Sequence, residues 1–185
     1  MPIFTIGHGT RPIAELLDLL KKYGIGYLAD VRSQPYSKFN PQYNRETLHR
    51  SLNQQNIKYV YLGDSLGGRP GDPSCYNHGT GRIDYDLVRQ KDFFKKGIER
   101  LISAHEKNLN VVLMCSERKP ELCHRSKLIS QTLHEKGIPI HHIDETGEQK
   151  KHEDITARWA AIVARQAPPA HPVFHPDLRI NTYAI

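Results

Sequence analysis

Five short apolar runs recur along the chain, and the stretches between them carry apolar residues at helical spacing. The runs are Ile3 to Ile6, Gly26 to Val31, Ile57 to Leu62, Asn110 to Met114 and Ile138 to Ile143. The first stretch opens at Thr10-Arg11-Pro12, places Ile13, Leu16, Leu17 and Leu20 at i, i+3, i+4 and i+7, and stops at Gly24. Further helices are predicted over 45–55, 85–106 and 121–136. A run such as Val111-Val112-Leu113-Met114, apolar at every position, fits a strand covered on both faces. Strand and helix alternating, with right-handed crossovers, then give a parallel sheet between helical layers. The expected fold is α/β, a three-layer sandwich with a mainly parallel five-stranded sheet and helices on both faces.

Two segments break this rhythm. Gly63 to Arg82 holds six glycines and two prolines in twenty residues. It exceeds ordinary connections and is read as a functional loop or lid, with a disordered insert as the alternative. After Glu145 a helix is predicted over Asp154 to Arg165, with Ile155, Trp159 and Ile162 on one side, and then comes the proline-rich Pro168 to Pro176. The expected division is residues 1–145 as an α/β domain and 146–185 as a C-terminal extension, packed on the body or on a partner subunit.

A chain of 185 residues suffices for a core without disulfide staples. Its three cysteines cannot all pair, and a reducing compartment keeps them as thiols. There is no signal-like start and no apolar stretch long enough for a span, so a cytoplasmic protein outside the membrane is expected. The formal charge of +6 favours an anionic partner, either a small molecule or nucleic acid. Lys91, Lys95, Lys96, Arg100 and Lys107 crowd one predicted helix, where a solvated face is the plainer explanation. A homodimer is one option the sequence leaves open.

In open parallel sheets, ligands bind beyond the carboxyl ends of the strands. Here the residues just past those ends are Gly7-His8-Gly9-Thr10, Asp30-Val31-Arg32-Ser33, Gly63-Asp64, Cys115-Ser116-Glu117 and His141-His142. Asp30 and Arg32, two apart, point the same way and can hold a ligand jointly, or form a plain ion pair. His8 lies between glycines that leave its ring uncrowded. Cys115 ends a buried strand near Arg118, Lys119, His124 and Arg125, where positive potential favours a thiolate. A buried structural thiol is the alternative. The phosphatase pattern Cys-x5-Arg fails, because the sixth residue after Cys115 is Glu121. Eight residues separate Cys115 from Cys123, unlike the Cys-x2-Cys spacing of strong metal sites, so no metal and no cofactor are assigned. Walker and Rossmann glycine patterns are missing. Arg69, His78 and Arg82 suit a loop that closes over an anion.

Taken together, Ile6-Gly7-His8, Asp30-Val31-Arg32-Ser33-Gln34-Pro35 with Ser37 and Pro41, Tyr61-Leu62-Gly63, Leu66-Gly67-Gly68, and Cys115-x-Glu117 to Cys123-His124-Arg125 resemble the uncharacterised domain of unknown function 488 family. The resemblance spans residues 3 to 143 and implies a compact α/β domain, with no established reaction. Gly9 stands where a hydroxyl residue is expected, with Thr10 one place later. Beyond Glu145 nothing matches.

The functional expectation is a small enzyme, a hydrolase or transferase with Cys or Asp/His chemistry, acting on a nucleotide, nucleic acid or phosphorylated substrate. The catalytic candidates are His8, Asp30, Cys115, Glu117 and His124, and the substrate-binding candidates are Arg32, Gly67, Gly68, Arg69 and Arg125. Within that scheme Arg32 and Arg125 hold the anion, Asp30 or His8 serves as acid or base, and Glu117 and His124 orient or relay protons. Cys123 is read as structural. The alternatives are a non-enzymatic nucleic-acid-binding module and a small-ligand sensor domain.

Overall fold

A computed structural model of the chain describes residues 1–166. The elements in chain order are β1 (Ile3–Gly7), α1 (Ile13–Lys22), β2 (Tyr27–Asp30), α2 (Arg45–Asn53), β3 (Lys58–Tyr61), α3 (Gly63–Leu66), α4 (Tyr85–Gln90), α5 (Asp92–Glu106), β4 (Val111–Cys115), α6 (Gln131–Glu135), β5 (Ile140–Ile143), β6 (Gln149–Lys151) and α7 (His152–Gln166). The sheet order is β3-β2-β4-β1-β5-β6, with β1 to β5 parallel and β6 antiparallel to β5. β1 and β4 are buried at all five positions, as central strands covered on both faces must be.

Alternate side chains of these strands feed two separate cores. Ile3, Val111, Leu113 and Cys115 face Leu66, Phe94, Ile98, Leu128 and Leu133 of one helical layer. Phe4, Ile6, Val112 and Met114 face Leu16, Leu20, Leu48 and Leu52 of the other. The fold is therefore the expected α/β three-layer sandwich. Connections running toward β3 use the α1 and α2 layer, and those running back use the other, which keeps each crossover right-handed. The adjacent strands β1 and β4 thus send their chains off in opposite directions, and that is where such sheets open a crevice.

Four local features differ from expectation. The sheet has six strands rather than five. β6 is a three-residue edge strand of Gln and Lys with no apolar signature. It is set by a turn in which Asp144 Oδ1 accepts from the backbone N–H of Thr146 and Glu148, while Gly147 adopts φ +86°. The helix expected over 85–106 breaks at Lys91, which is extended and whose ammonium pairs with Asp72 at 3.2 Å. The helix expected over 121–136 opens with a tight turn, Pro120–Leu122, passes through extended Cys123, and runs as a wide π-type turn over Arg125–Ser130 before α6. Within the glycine-rich stretch lie α3, a turn at Pro73–Cys75 and a bridge between Tyr76 and Ile83, so much of it is ordered structure.

The expected C-terminal helix starts two residues early, at His152. Ile155 is buried, whereas Trp159 stays 39% exposed under Lys127, whose Nζ lies 5.3 Å from the ring centroid. The proline-rich 168–176 lies outside the described residues. Among the described residues, no helix is long and apolar enough to cross a membrane.

Candidate functional site

Arg32 and Cys115 come to one crevice at the carboxyl edge of the sheet, a cavity of about 530 Å³ that Glu117, His124, Gly68 and Arg69 also line. The strands bring them there. β2 ends at Asp30, so Arg32 emerges just past its tip, and β4 delivers Cys115 as its last residue. The β1 and β4 loops continue their pairing beyond the sheet, His8 N–H donating to Cys115 O and Gly9 N–H to Ser116 O, each at 3.0 Å. A Cβ at Gly7 would fall 1.9 Å from Glu117 O, so only glycine lets the Glu117 backbone lie against β1.

At the cavity floor and just beneath it lies a cluster of four side chains, of which Cys115, Glu117 and His124 line the cavity and Cys123 packs behind them. Cys115 Sγ lies 2.5 Å from Glu117 Oε2, and Cys123 Sγ lies 3.1 Å from the same oxygen. His124 Nδ1 stands 3.6 Å from Cys115 Sγ and 3.7 Å from Cys123 Sγ. On its other side the His124 ring donates from Nε2 to Val31 O at 3.2 Å, which fixes the ring and turns Nδ1 to the sulfurs. The tight turn at Pro120 and the extended Cys123 fold the chain back, so thiols eight residues apart in sequence become neighbours. All three cysteines are free thiols, Cys75 lying buried elsewhere.

These groups set each other's charge. The hydrogen bond to Cys123, burial and the Glu117 carboxylate together push the Cys115 thiol well up. Burial also opposes ionisation of Cys123, but the bond from Cys115, the Arg125 guanidinium and His124 outweigh it and hold this thiol well down. Of the two thiols, Cys123 is the one whose ionisation its surroundings favour. His124, which burial alone would lower, is raised by the Cys123 sulfur and the Glu117 carboxylate.

Beside this cluster lies a second network. Asp30, wholly buried, accepts from Arg32 Nε at 2.8 Å and Arg32 Nη2 at 2.6 Å, from the Arg32 backbone N–H, and from Tyr59 OH at 2.8 Å. Arg32 Nη2 also donates to Tyr43 O, while Nη1 reaches His8 Nε2 at 3.4 Å. His8 stacks on Tyr43 at 4.0 Å and donates from Nδ1 to Gly9 O, and burial lowers its pKa to about 4. His8 is thus neutral, with Nε2 a lone-pair acceptor facing the guanidinium.

The sequence-derived candidates therefore divide. Arg32, Arg69, Gly68, Cys115, Glu117 and His124 line the crevice. His8 and Asp30 lie behind Arg32 and hold it. Arg125 is buried, donating from Nη1 and Nη2 to the carbonyls of Glu117 and Arg118 and from Nε to Thr5 Oγ1, so all three nitrogens are spent on the protein. Gly67 lets the loop pass Ser33, whose Oγ would sit 2.4 Å from an added Cβ. Sequence reasoning set Cys123 aside as structural and did not single out Tyr43 or Tyr59. Cys123 carried a usable signal in its neighbour His124; the tyrosines carried none, since their roles exist only through partners distant in sequence.

A family model described as Domain of unknown function DUF488 matches residues 12–132. The chain belongs to the DUF488 family. The match covers every member of the four-residue floor cluster, together with Asp30, Arg32 and Arg69, whereas β5, β6 and α7 lie beyond it. No curated protein matches the chain. Within this DUF488 chain the site can do three things chemically. It can hold an anion between Arg32 and Arg69, present a sulfur or carboxylate to it, and relay a proton through His124.

Proposed function

We propose that the protein is a small enzyme that binds a phosphate-bearing or otherwise anionic substrate in the carboxyl-edge crevice and acts on it at the cavity floor. One observation carries this reading: two arginines border the same cavity that a thiol, a carboxylate and an imidazole also line, with the second thiol, Cys123, packed just behind them. Reactive groups assembled at one concave, polar place are the usual mark of a site built for chemistry. Arg69 is exposed and has no carboxylate partner among the described residues, and Arg32 Nη1 meets only the neutral His8 ring, so both keep donors for an anion. Ser33 holds the Arg69 backbone in place, its Oγ accepting from Arg69 N–H at 2.9 Å. Asp30 and Arg125 act as braces in this scheme, the first for Arg32 and the second for the Glu117 loop.

A second reading, nucleic-acid binding without turnover, has one observation in its favour. Tyr36 and Phe39 are 69% and 94% exposed on the loop after β2, beside Lys38. Exposed aromatics interleaved with a cation suit bases stacking along a single strand. The lysine-rich helix supports it less, because Lys91 is paired with Asp72 and Lys95 with Asp92.

The deciding experiment titrates inorganic phosphate, a nucleoside monophosphate and a short single strand into the protein, followed by amide chemical shifts. The enzymatic reading expects shifts at Ser33, Gly68 and Arg69, binding lost in Arg69→Ala, and turnover of a phosphoester panel abolished in Glu117→Gln with the fold intact. Strand binding that falls steeply with salt, is lost in Tyr36→Ala and Phe39→Ala, and survives Arg69→Ala would replace it with the second reading.

A further inference from the structure

We infer that the floor cluster is a binding site for one divalent cation of the zinc class, held by Cys115 Sγ, Cys123 Sγ and His124 Nδ1, with Glu117 as the ligand that faces the cavity. The inference deepens the reading above by naming what stands at the floor, and it rests on separate observations. The donor atoms of these four residues all lie within 4.8 Å of one another. With bonds of about 2.3 Å to sulfur and about 2.1 Å to nitrogen, tetrahedral geometry puts sulfur and nitrogen roughly 3.6 Å apart. The two sulfurs stand 3.6 and 3.7 Å from Nδ1, so each sulfur–nitrogen pair already has the spacing that shared ligation requires. Glu117 Oε2 is closer, 2.5 and 3.1 Å from the sulfurs, and has to draw back. Glu117 is exposed, so solvent-side space is open to it.

The second observation is what surrounds the donors. A ligating histidine usually gives its other ring N–H to a carbonyl, which fixes the tautomer that offers a lone pair to the metal. His124 Nε2 does this with Val31 O at 3.2 Å. Cys123 Sγ accepts the backbone N–H of Arg125 at 3.4 Å, a contact that supports sulfur as an anion. Arg125 in turn clamps the carbonyls of Glu117 and Arg118, tying the loop that bears one ligand to the turn that bears two. Gly68 lies over the imidazole, and a Cβ there would come within 2.7 Å of Nδ1, so the loop closes on the ring without displacing it.

Donor type selects the cation. Two sulfurs and an imidazole favour zinc or its relatives over magnesium and calcium, which prefer oxygen. The arrangement also differs from a closed structural site. Three donors are buried, while the fourth is a carboxylate on the cavity wall that a substrate oxygen or water can replace.

The test uses the untagged full chain, stripped with a chelator under reducing conditions and titrated with Co²⁺ and then Zn²⁺. One equivalent of Co²⁺ per chain is expected, with thiolate-to-cobalt absorption and the intense visible bands of a tetrahedral ion, both erased by one equivalent of Zn²⁺. Cys115→Ser and Cys123→Ser should weaken binding beyond the ~100-fold limit typical of outer partners. Glu117→Gln should keep the thiolate band and change the visible bands. Far-UV dichroism of each variant separates lost ligation from lost fold. Absence of a stoichiometric thiolate–cobalt band in the wild-type chain would overturn the proposal without reference to any variant, as would full binding in both serine variants. Phosphate titration of the stripped and loaded forms keeps this outcome apart from the functional reading: anion binding lost in Arg69→Ala stands whether or not metal binds.

Discussion

Asp30 and Arg32 form a buried two-pronged pair in which the carboxylate engages Nε and Nη2 and leaves Nη1 as the guanidinium nitrogen turned to His8. The aspartate thereby fixes which face of the arginine is available. Removing one member of a buried ion pair costs far more than the pair is worth, because the other charge is left without compensation. Asp30→Asn should therefore lower unfolding free energy by about 3–5 kcal/mol in urea denaturation. Tyr59→Phe, which removes a single hydrogen bond to the same carboxylate, should cost less, about 1.5–3 kcal/mol.

Stability should fall on mild acidification. Gln131 Oε1 can only accept, so His152 donates to it from Nε2, and His152 Nδ1 must then accept from His142 Nε2–H. The same logic leaves His142 Nδ1 accepting from Thr5. Both rings are neutral in this chain of bonds, and burial holds His152 at about 4 and pushes His142 well down. The unfolded chain takes up protons near the ordinary value of about 6.5. Below that value it binds more protons than the folded chain, so stability is full above pH 6.5 and is lost as pH falls toward 4. His152 alone accounts for on the order of 3 kcal/mol across this window. His8 adds to the same trend. Thermal midpoints measured from pH 7.5 to 4.5 check this, and His152→Gln should flatten the slope.

Residues 146–166 should prove part of the folded body. β6 extends the sheet, and α7 buries Ile155 and places His152 beside His142. Ile155→Ala should cost about 2–4 kcal/mol by opening a cavity. A chain ending at 145 should lose cooperative unfolding or precipitate.

Gly68→Ala should separate site from scaffold. The new methyl meets the His124 ring rather than a core element. Global stability should change by less than ~1 kcal/mol, whereas phosphate binding should drop at least severalfold as the loop lifts. Equal losses in both would show that the loop is a structural strap.

How much of this could be read in the sequence depends on whether the cause is local. Val111-Val112-Leu113-Met114 announces a doubly covered strand because burial on both faces writes itself as an unbroken apolar run. The carboxyl-end rule then singles out Arg32 and Cys115, which do reach one crevice. β6 left no trace, since a polar three-residue edge needs only a partner strand. The break at Lys91 was equally silent, because its ammonium turns to Asp72, nineteen positions earlier. Asp30 and Arg125 have residue types fit for chemistry, and only their distant partners reveal that the protein itself uses up their polar groups. Cys115 and Cys123 carried a spacing that argued against a shared site until the fold-back at Pro120 supplied what spacing could not.

The wide turn over Arg125–Ser130, closed by Ser130 Oγ donating to Arg125 O at 2.7 Å, holds one more residue than an α-helical turn would. The two ends of this helix are consequently out of phase: the upstream end aims His124 at the crevice, with Cys123 against Glu117 behind it, while the downstream end keeps Leu133 in the core. Deleting a single residue from that turn would leave the helix hydrogen-bonded yet rotate one end by about 100° relative to the other. The chain could then satisfy its interior or its sulfur-bearing corner, and no longer both.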